Sequence, residues 1–245
     1  MITLTTVAER PEYADRLYEF EDTWPTFMAK DLLANALFWQ VAHAFPAYCV
    51  VALDPSGAVV GRGRSAPFGL AERGGELPDG GWDAVLLRAF YDQAQKNVAD
   101  AVSALEVAIS PAYLGQGLSG RILSAMREAA AGQGHRELFA PVRPTAKHEQ
   151  PSLSMAEYVQ LVRPDGLPVD PWLRVHARAG ASIVKVAPRS MTISGSLAEW
   201  REWTGLPFDT DGPVTVPQAL IPVHCDTTHD YAVYVEPNVW MRHPL

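Results

Sequence analysis

The sequence is poor in cysteine and has no surplus of positive charge. Only Cys49 and Cys225 are cysteines among 245 residues, too few for a disulfide framework, so we expect a reduced, cytoplasmic protein. The 28 acidic residues outnumber the 20 lysines and arginines, which gives a formal net charge of −8. Because nucleic-acid binding needs a basic surface, we expect no nucleic-acid partner.

Long hydrophobic runs and a signal peptide are also missing. No apolar run approaches the length that spans a bilayer, so we expect no membrane partner. Residues 1–7 lack the basic segment and the apolar stretch of a secretory leader. With 48% hydrophobic residues and no clean internal boundary, the chain is expected to form a single domain over residues 1–245.

The stretch that organises the chain runs from residue 101 to residue 134. Residues 102–109 form a short apolar run that predicts a buried strand, and residues 110–120 form a loop rich in glycine. Apolar residues then recur at helical spacing from Leu118 to Ala129, and Gly132 supplies a stop. Glycines let the backbone approach an anion, and the unpaired amides at a helix start attract it, so this order predicts a phosphate site.

The rest of the chain alternates between strand and helix patterns, which predicts an α/β fold with a mixed sheet. Predicted strands cover residues 2–7, 48–53, 59–63, 137–142, 182–186, 191–194, 219–225 and 231–236. Predicted helices cover residues 10–22, 27–44, 82–95, 155–162, 171–179 and 197–203. Prolines flank the helix at 155–162, which indicates an ordered excursion over residues 145–171.

Residues 102–134 resemble the acyl-CoA-binding segment of the GNAT superfamily of N-acetyltransferases. The family pattern Gln/Arg-x-x-Gly-x-Gly/Ala falls on Leu114, Gly117 and Ser119, and departs from the pattern at the first and last of these. Such loops bind pyrophosphate mainly through backbone amides, which tolerates both departures. The resemblance implies a mixed, mostly antiparallel central sheet flanked by helices, with an inserted segment near residues 146–171.

The resemblance also implies acyl-CoA, as acetyl-CoA or malonyl-CoA, as the co-substrate, with no metal. The residues that it places against the cofactor are Val107, Ala108, Ile109, Leu114, Gly115, Gln116, Gly117, Leu118, Ser119, Gly120 and Arg143. For Arg143 the alternative is a surface ion pair. The segment His224 to Asp230 contains histidine, cysteine and aspartate, but it lacks a second ligand group at zinc spacing, so we expect no metal there.

A second match lies at residues 175–188, which resemble the family's Tyr-x-x-x-Gly-Phe helix end and following strand. His176 stands where the family's tyrosine general acid usually stands, and Ala181 replaces the aromatic residue. An ordinary histidine titrates near neutrality, so His176 is expected to donate or accept a proton. The alternative is a histidine that stabilises the helix C-terminus.

Several C-terminal segments resemble a narrower group, the GNAT-like domains that load polyketide synthases. These segments are residues 140–147, 170–176, 190–195, 199–206 and 236–243. By position, Thr145 and His176 match that group's active-site threonine and histidine, and Trp39 matches a tryptophan of its substrate tunnel. The alternatives are a turn or helix cap for Thr145 and a core position for Trp39.

Glu106, within the central strand, is the candidate general base, because GNAT enzymes often draw one from that strand and burial raises a carboxyl pKa. The alternative is a solvated or paired strand carboxylate.

Three functions follow from these residues. The first is an acyl-CoA-dependent acyltransferase of the GNAT type, which transfers directly from the thioester to a small-molecule or carrier-protein acceptor. The second is a malonyl-thioester decarboxylase or acyl-loading enzyme. The third is a degenerate acyl-CoA-binding module without turnover. The sequence leaves the oligomeric state open, with a homodimer among the options.

Overall fold

One sheet runs through the computed structural model, which describes residues 1–20 and 24–245. The strands of the described residues are β1 (Thr3–Thr6), β2 (Cys49–Leu53), β3 (Val59–Phe68), β4 (Ala101–Ile109), β5 (Glu137–Val142), β6 (Ser182–Gly195), β7 (Gly212–Val214), β8 (Val223–Asp226) and β9 (Tyr231–Pro244). Their order is β1-β2-β3-β4-β5-β9-β8-β7, and β6 pairs with the other edge of β9. Every pairing is antiparallel except that of β4 with β5, which confirms the mixed, mostly antiparallel sheet.

Helices cover both faces of this sheet. They are α1 (Leu32–Leu37), α2 (Val41–Ala44), α3 (Gly81–Gln95), α4 (Leu118–Gly132), α5 (Met155–Tyr158), α6 (Pro171–Arg178) and α7 (Leu197–Thr204). One apolar cluster contains Leu86 of α3 and Trp200 of α7, and a second contains Ile122 of α4 and Leu173 of α6. None of the described helices is long and apolar enough to cross a bilayer.

The parallel strands β4 and β5 separate soon after they meet. Their ladder consists of the pair Ser103 and Phe139, although β4 continues to Ile109 and β5 to Val142. In β4 the register with β3 skips Leu105, since Arg64 faces Glu106 and the next β3 residue faces Ala104. A bulge of this kind bends a strand and increases its twist. The two strands therefore open a cleft in the middle of the sheet.

Strand β9 is longer than the sequence pattern predicts. The predicted strand stops at Glu236, before Pro237, but β9 continues to Pro244. Its last part pairs with β5 on one edge and with β6 on the other. Strand β6, predicted as two strands, is one strand with a register shift between Ala187 and Met191. The extension of β9 to Pro244 places His243 in the interior of the fold.

The helix predicted at residues 27–44 is wrong as a single element. It is broken into a 3₁₀ turn at Thr26–Lys30, α1, a second 3₁₀ turn at Phe38–Gln40 and α2. Asp31 causes the first break, because it has an extended backbone and its side chain accepts a hydrogen bond from the amide of Ala34 at 2.8 Å.

The helix predicted at residues 10–22 is also wrong. Its described part forms two 3₁₀ turns, Pro11–Tyr13 and Asp15–Tyr18, and residues 21 and 22 lie outside the described residues.

The predicted excursion at residues 145–171 is ordered and packs on the fold. Ser154 and Glu157 form a capping box at the start of α5. The hydroxyl of Tyr158 donates to the carboxylate of Asp170 at 3.0 Å, and Asp170 caps α6 with hydrogen bonds from Trp172 and Leu173. The insertion therefore fixes where α6 begins, and with it the position of His176.

Candidate active site

A cavity of about 740 Å³ fills the cleft between β4 and β5. Its walls come from the diverging ends of both strands, from the loop before α4, and from the helices α1 and α6. Apart from Gln116 and Gly120, every residue that the sequence singled out for acyl-CoA binding or catalysis lines this cavity. Residues far apart in the chain are thus brought to one site.

The loop before α4 is built to expose backbone amides. Gly115 and Gly117 both have left-handed backbones, with φ of 74° and 72°. Gly117 is the N-cap of α4 and offers no side-chain cap, so the first amides of the helix keep their hydrogen-bonding capacity. The side chain of Leu114 is 53% exposed, which explains why an apolar residue can stand at this position of the loop.

The edge of β4 that faces β5 is open along the cleft. Beyond Ser103, the residues Ala104 to Ile109 line the cavity and have no ladder partner on β5. An open strand edge can accept and donate hydrogen bonds to an extended ligand as a further strand would. Trp82 covers the bulge in this strand and donates its indole N–H to the carbonyl of Leu105 at 2.8 Å.

His176 lines the cavity from α6 and is held by a second histidine. Its Nδ1 lies 2.8 Å from Nε2 of His243, and both rings are buried. Burial, and then the neighbouring His243, lower the pKa of His176 to about 3. The expectation that His176 titrates near neutrality is therefore wrong, because the imidazole is neutral at pH 7.

The free nitrogen of His176 is shielded from bulk solvent. Nε2 is buried and has no hydrogen-bond partner among residues 1–20 and 24–245. The indole of Trp172 lies edge-on against the imidazole, with ring centroids 4.6 Å apart. A hydrogen bond from this nitrogen to a substrate would form in a dry environment, where it is stronger than in water.

Glu106 is locked between two arginines of β3. Its carboxylate accepts hydrogen bonds from Arg62 at 2.9 and 3.1 Å and from Nε of Arg64 at 2.8 Å. Burial raises the pKa of Glu106, but the charges of Arg64 and Arg62 more than offset this, and the pKa lies below its usual value. The raised pKa expected for a general base is wrong, and the alternative of a paired strand carboxylate is what the structure contains.

The arginine pair also orders the aromatic wall of the cavity. Arg64 donates to the hydroxyl of Tyr18 and lies over the ring of Phe38, 3.6 Å from its centroid. Trp39 stacks at a tilt on Tyr18, with centroids 4.3 Å apart, and is 53% exposed. Trp39 therefore stands at the rim of the cavity, where a substrate can reach it.

Arg143 and Thr145 follow β5 on the opposite side of the cleft. Nε of Arg143 donates to the buried carboxylate of Glu236 at 2.9 Å, and Nη2 donates to the carbonyl of Gln218 at 2.6 Å. Arg143 thus forms an ion pair, as the alternative expected, but a buried one. Thr145 is exposed, and its carbonyl accepts from Nδ1 of His148 at 2.9 Å.

Glu236 anchors a second buried network in the same wall. It accepts from the hydroxyl of Tyr234 and from the amide of Asn238, each at 2.9 Å. Ser190 donates to Asn238 at 2.5 Å and accepts from the amide of Trp82 at 2.8 Å. The network connects β9, β6 and α3 in this wall of the cavity.

Sequence reasoning missed Arg62, Arg64, Glu236 and His243. The first two alternate on β3. The pairing of β3 with β4 places Arg64 opposite Glu106 and Arg62 opposite Ala108, two residues further along β4, so a correct strand pairing would reveal both. His243 lies beyond the predicted end of its strand, and no local pattern marks it. The segment from His224 to Asp226 is separate from the cavity, and the described residues contain no group of three or more side chains suited to a metal.

Comparisons with known proteins agree with this architecture. No family model matches the chain. Arginine N-acetyltransferase avaD of Aspergillus versicolor is 34% identical over 275 aligned positions, which cover 99% of this chain and 94% of that protein.

Two solved structures share the fold over the whole chain. The loading GNATL domain of CurA from Lyngbya majuscula has a TM-score of 0.62 at 18% identity, and covers 100% of this chain and 98% of its own. The GphF GNAT-like decarboxylase in complex with isobutyryl-CoA has a TM-score of 0.58 at 19% identity, with the same coverage. The chain belongs to the GNAT superfamily and is an acyl-CoA-dependent acyltransferase.

Proposed function

We propose that this protein transfers the acetyl group of acetyl-CoA to an amine nitrogen of a small amino acid of the arginine type. The observation that carries the proposal is the open edge of β4, which leads directly into the uncapped start of α4. The acceptor class rests on the relative from Aspergillus versicolor, whose name gives arginine as its substrate.

The two sides of the cleft bind different molecules, acetyl-CoA on the side of β4 and α4 and the acceptor on the side of β5. The diphosphate of acetyl-CoA lies on the amides of residues 115–120, and the pantetheine amides pair with β4 between Val107 and Ile109. Both regions line the cavity or adjoin it. Arg143 forms an ion pair with Glu236 on the opposite side of the cleft. We therefore place Arg143 in the wall that contacts the acceptor and not in the phosphate site.

The chemistry is a direct transfer. The acceptor nitrogen attacks the thioester carbonyl carbon, the C–N bond forms, and the C–S bond breaks as the CoA thiolate leaves. The nitrogen loses one proton and the thiolate gains one. Neutral His176 forms a hydrogen bond to the reacting thioester, and Thr145 and Trp39 border the acceptor.

The test is an assay of acetyl-CoA with L-arginine and a panel of other amines. We expect release of the CoA thiol and a product heavier by one acetyl group, and a loss of at least about 100-fold in kcat for His176→Ala. The exposed His229, outside the cavity, provides the matched control His229→Ala with unchanged rate. Binding of acetyl-CoA without turnover on any amine would instead favour the non-catalytic module.

A second candidate is decarboxylation of a malonyl thioester. The observation in its favour is that His176, Thr145 and Trp39, which match the polyketide-loading group by position, all line one cavity. In that reaction the C–C bond to the carboxylate breaks, carbon dioxide leaves, and the enolate takes a proton at carbon. Incubation with malonyl-CoA and mass spectrometry for acetyl-CoA decides between the two, because an acetyltransferase leaves malonyl-CoA unchanged.

The remaining expectations belong to the same proposal. We propose that residues 1–245 act as one domain, in the cytoplasm, on small-molecule acceptors. A carrier-protein acceptor would require the decarboxylase alternative, and a homodimer stays a prediction that sedimentation analysis tests.

A further inference from the structure

The hydrogen bond between His176, which lines the cavity, and His243 allows two positions for its hydrogen. His176 and His243 are both neutral, since burial, together with His243 for the first ring and Arg127 for the second, lowers their pKa values to about 3 and 4. A neutral imidazole carries one N–H and one lone pair. One of the two facing nitrogens must therefore hold the hydrogen of the 2.8 Å contact, and this choice fixes what Nε2 of His176 offers to a substrate.

If Nδ1 of His176 donates, its Nε2 carries a lone pair and can only accept a hydrogen bond. If Nε2 of His243 donates, Nε2 of His176 carries the hydrogen and can only donate. A thioester carbonyl and a developing oxyanion need a donor. Only the tautomer with the hydrogen on Nε2 therefore lets His176 stabilise that oxygen with a hydrogen bond.

Arg127 is not among the residues that line the cavity, and its charge acts on His243. It projects from α4, and its Nη2 donates to the carbonyl of Pro244, the residue that follows His243, at 2.8 Å. Its Nε is buried and lacks a hydrogen-bond partner in the described parts of the chain, and the same holds for Nδ1 of His243. The anchor at Pro244 thus brings two partnerless nitrogens to one end of β9.

A guanidinium only donates hydrogen bonds and stays charged at any working pH. Its positive charge therefore favours a lone pair, and not a hydrogen, on Nδ1 of His243. With the lone pair there, the hydrogen of His243 sits on Nε2 and points at Nδ1 of His176. The hydrogen of His176 is then on its own Nε2.

We propose that Arg127 acts through His243 as a positioning residue, which holds His176 in the tautomer that donates from Nε2 to the thioester carbonyl. The use of that hydrogen bond rests on the proposed function, but the tautomer itself does not. Neither Arg127 nor His243 touches the substrate in this scheme. The order Arg127, His243, His176 runs from the surface helix to the cavity and connects α4, β9 and α6.

The tautomer is read directly by two-bond ¹H–¹⁵N correlation spectra of the ¹⁵N-histidine-labelled protein without substrate. We expect the Nε2 resonance of His176 at the position of a protonated nitrogen and the Nδ1 resonance at that of an unprotonated one. His176→Gln assigns the signals. A hydrogen on Nδ1 of His176 in the wild-type protein overturns the proposal, whatever the enzyme acetylates.

Arg127→Met tests the source of the preference. We expect mixed tautomers of His176, a fall of about tenfold in kcat and an unchanged KM for acetyl-CoA. Arg121 is the matched control, because it lies on the same helix and its Nη2 donates to the carbonyl of Ile2 at 2.9 Å. Arg121→Met should leave the spectrum and kcat as in the wild type, and the same result for Arg127→Met overturns the proposal.

Two further results keep the test decisive. If Arg127→Met does not fold, Arg127→Lys keeps the charge and the anchor but lacks Nε, and an intermediate tautomer ratio is expected. If His176→Ala keeps full activity while the wild-type tautomer is as expected, the catalytic assignment fails and the positioning by Arg127 stands.

Discussion

Replacing Glu106 by glutamine tests whether this residue is a structural ion-pair partner or a general base. The carboxylate receives three hydrogen bonds of 2.8 to 3.1 Å from Arg62 and Arg64. Glutamine keeps the shape but removes the negative charge and turns one oxygen into an amide that faces guanidinium donors. Arg62 and Arg64 then lose a charged acceptor of their hydrogen bonds in a buried site.

Breaking a buried ion pair by removing one partner costs about 3–5 kcal/mol. For a chain of this size, each kcal/mol lowers Tm by about 2–4 °C, so Glu106→Gln should melt about 6–20 °C below the wild type at pH 7.5. The matched control is Glu128→Gln on α4, where the carboxylate is exposed and accepts from Ser124 at 3.2 Å. We expect that control to stay within about 0.5 kcal/mol of the wild type.

The pH dependence of the free energy of unfolding tests the same ion pair independently. Because the pKa of Glu106 is lowered in the folded protein, its contribution is present above its unfolded pKa of about 4.5 and is lost as the pH falls through the folded value. The stability gap between wild type and Glu106→Gln should therefore shrink below about pH 4. A glutamine variant with wild-type Tm and a 100-fold lower kcat would refute this reasoning and restore the general base.

Three further perturbations address the loop, the histidines and the rim. Calorimetry should show that Gly117→Asp binds CoA at least about tenfold more weakly than Gly117→Asn, because only aspartate places a negative charge beside the diphosphate. Asparagine is the control, since it fits the left-handed backbone of this position without a charge. Equal affinities of the two variants would place the diphosphate elsewhere. In the folded protein His176 and His243 stay neutral, whereas in the unfolded chain both histidines take up a proton below about pH 6.5. The free energy of unfolding should therefore be constant above that pH and fall below it. At pH 5, urea unfolding should show a loss of about 2 kcal/mol per histidine. A double His176→Gln, His243→Gln variant that keeps the wild-type slope would contradict this. Trp39→Ala should raise KM for the acceptor and leave Tm within about 1 °C, because the ring is 53% exposed; a lower Tm with an unchanged KM would make it a packing residue.

The sequence predicts the strand, the glycine loop and the helix of the candidate cofactor region because these elements are local. Strand, glycine loop and helix follow one another between residues 101 and 132, and each is encoded by its own short pattern. The apolar pattern likewise predicts strand β5 at residues 137–142, which are the bounds that the structure has. Apolar runs and glycines suffice here, since no contact from elsewhere in the chain is needed to define them.

The rest of the candidate site depends on contacts across long stretches of chain. Glu106 meets Arg62 over 44 residues, and His176 meets His243 over 67. The sequence pattern does not predict the full length of β9, because a proline such as Pro237 usually marks the end of a strand. In the structure this proline falls between Glu236 and Asn238, at the irregularity where β6 also shifts register, so its missing N–H costs no ladder bond.

For the arginine-type acceptor that we propose, the protonation states of Glu106 and His176 bear on which nitrogen is acetylated. Glu106 is fixed by two guanidinium groups, and His176 is neutral with its Nδ1 engaged, so neither residue is set to remove a proton from a strong cation. The α-amino group of a free amino acid has a pKa several units below that of a guanidinium, whose pKa lies above 12, so it is the nitrogen that loses its proton far more readily. We therefore expect the acetyl group on the α-nitrogen, with a rate at subsaturating arginine that rises about tenfold per pH unit below pH 8. Tandem mass spectrometry locates the acetyl group, and acetylation of the guanidino group, or a flat pH profile, would show that this site contains a base that the described geometry does not supply.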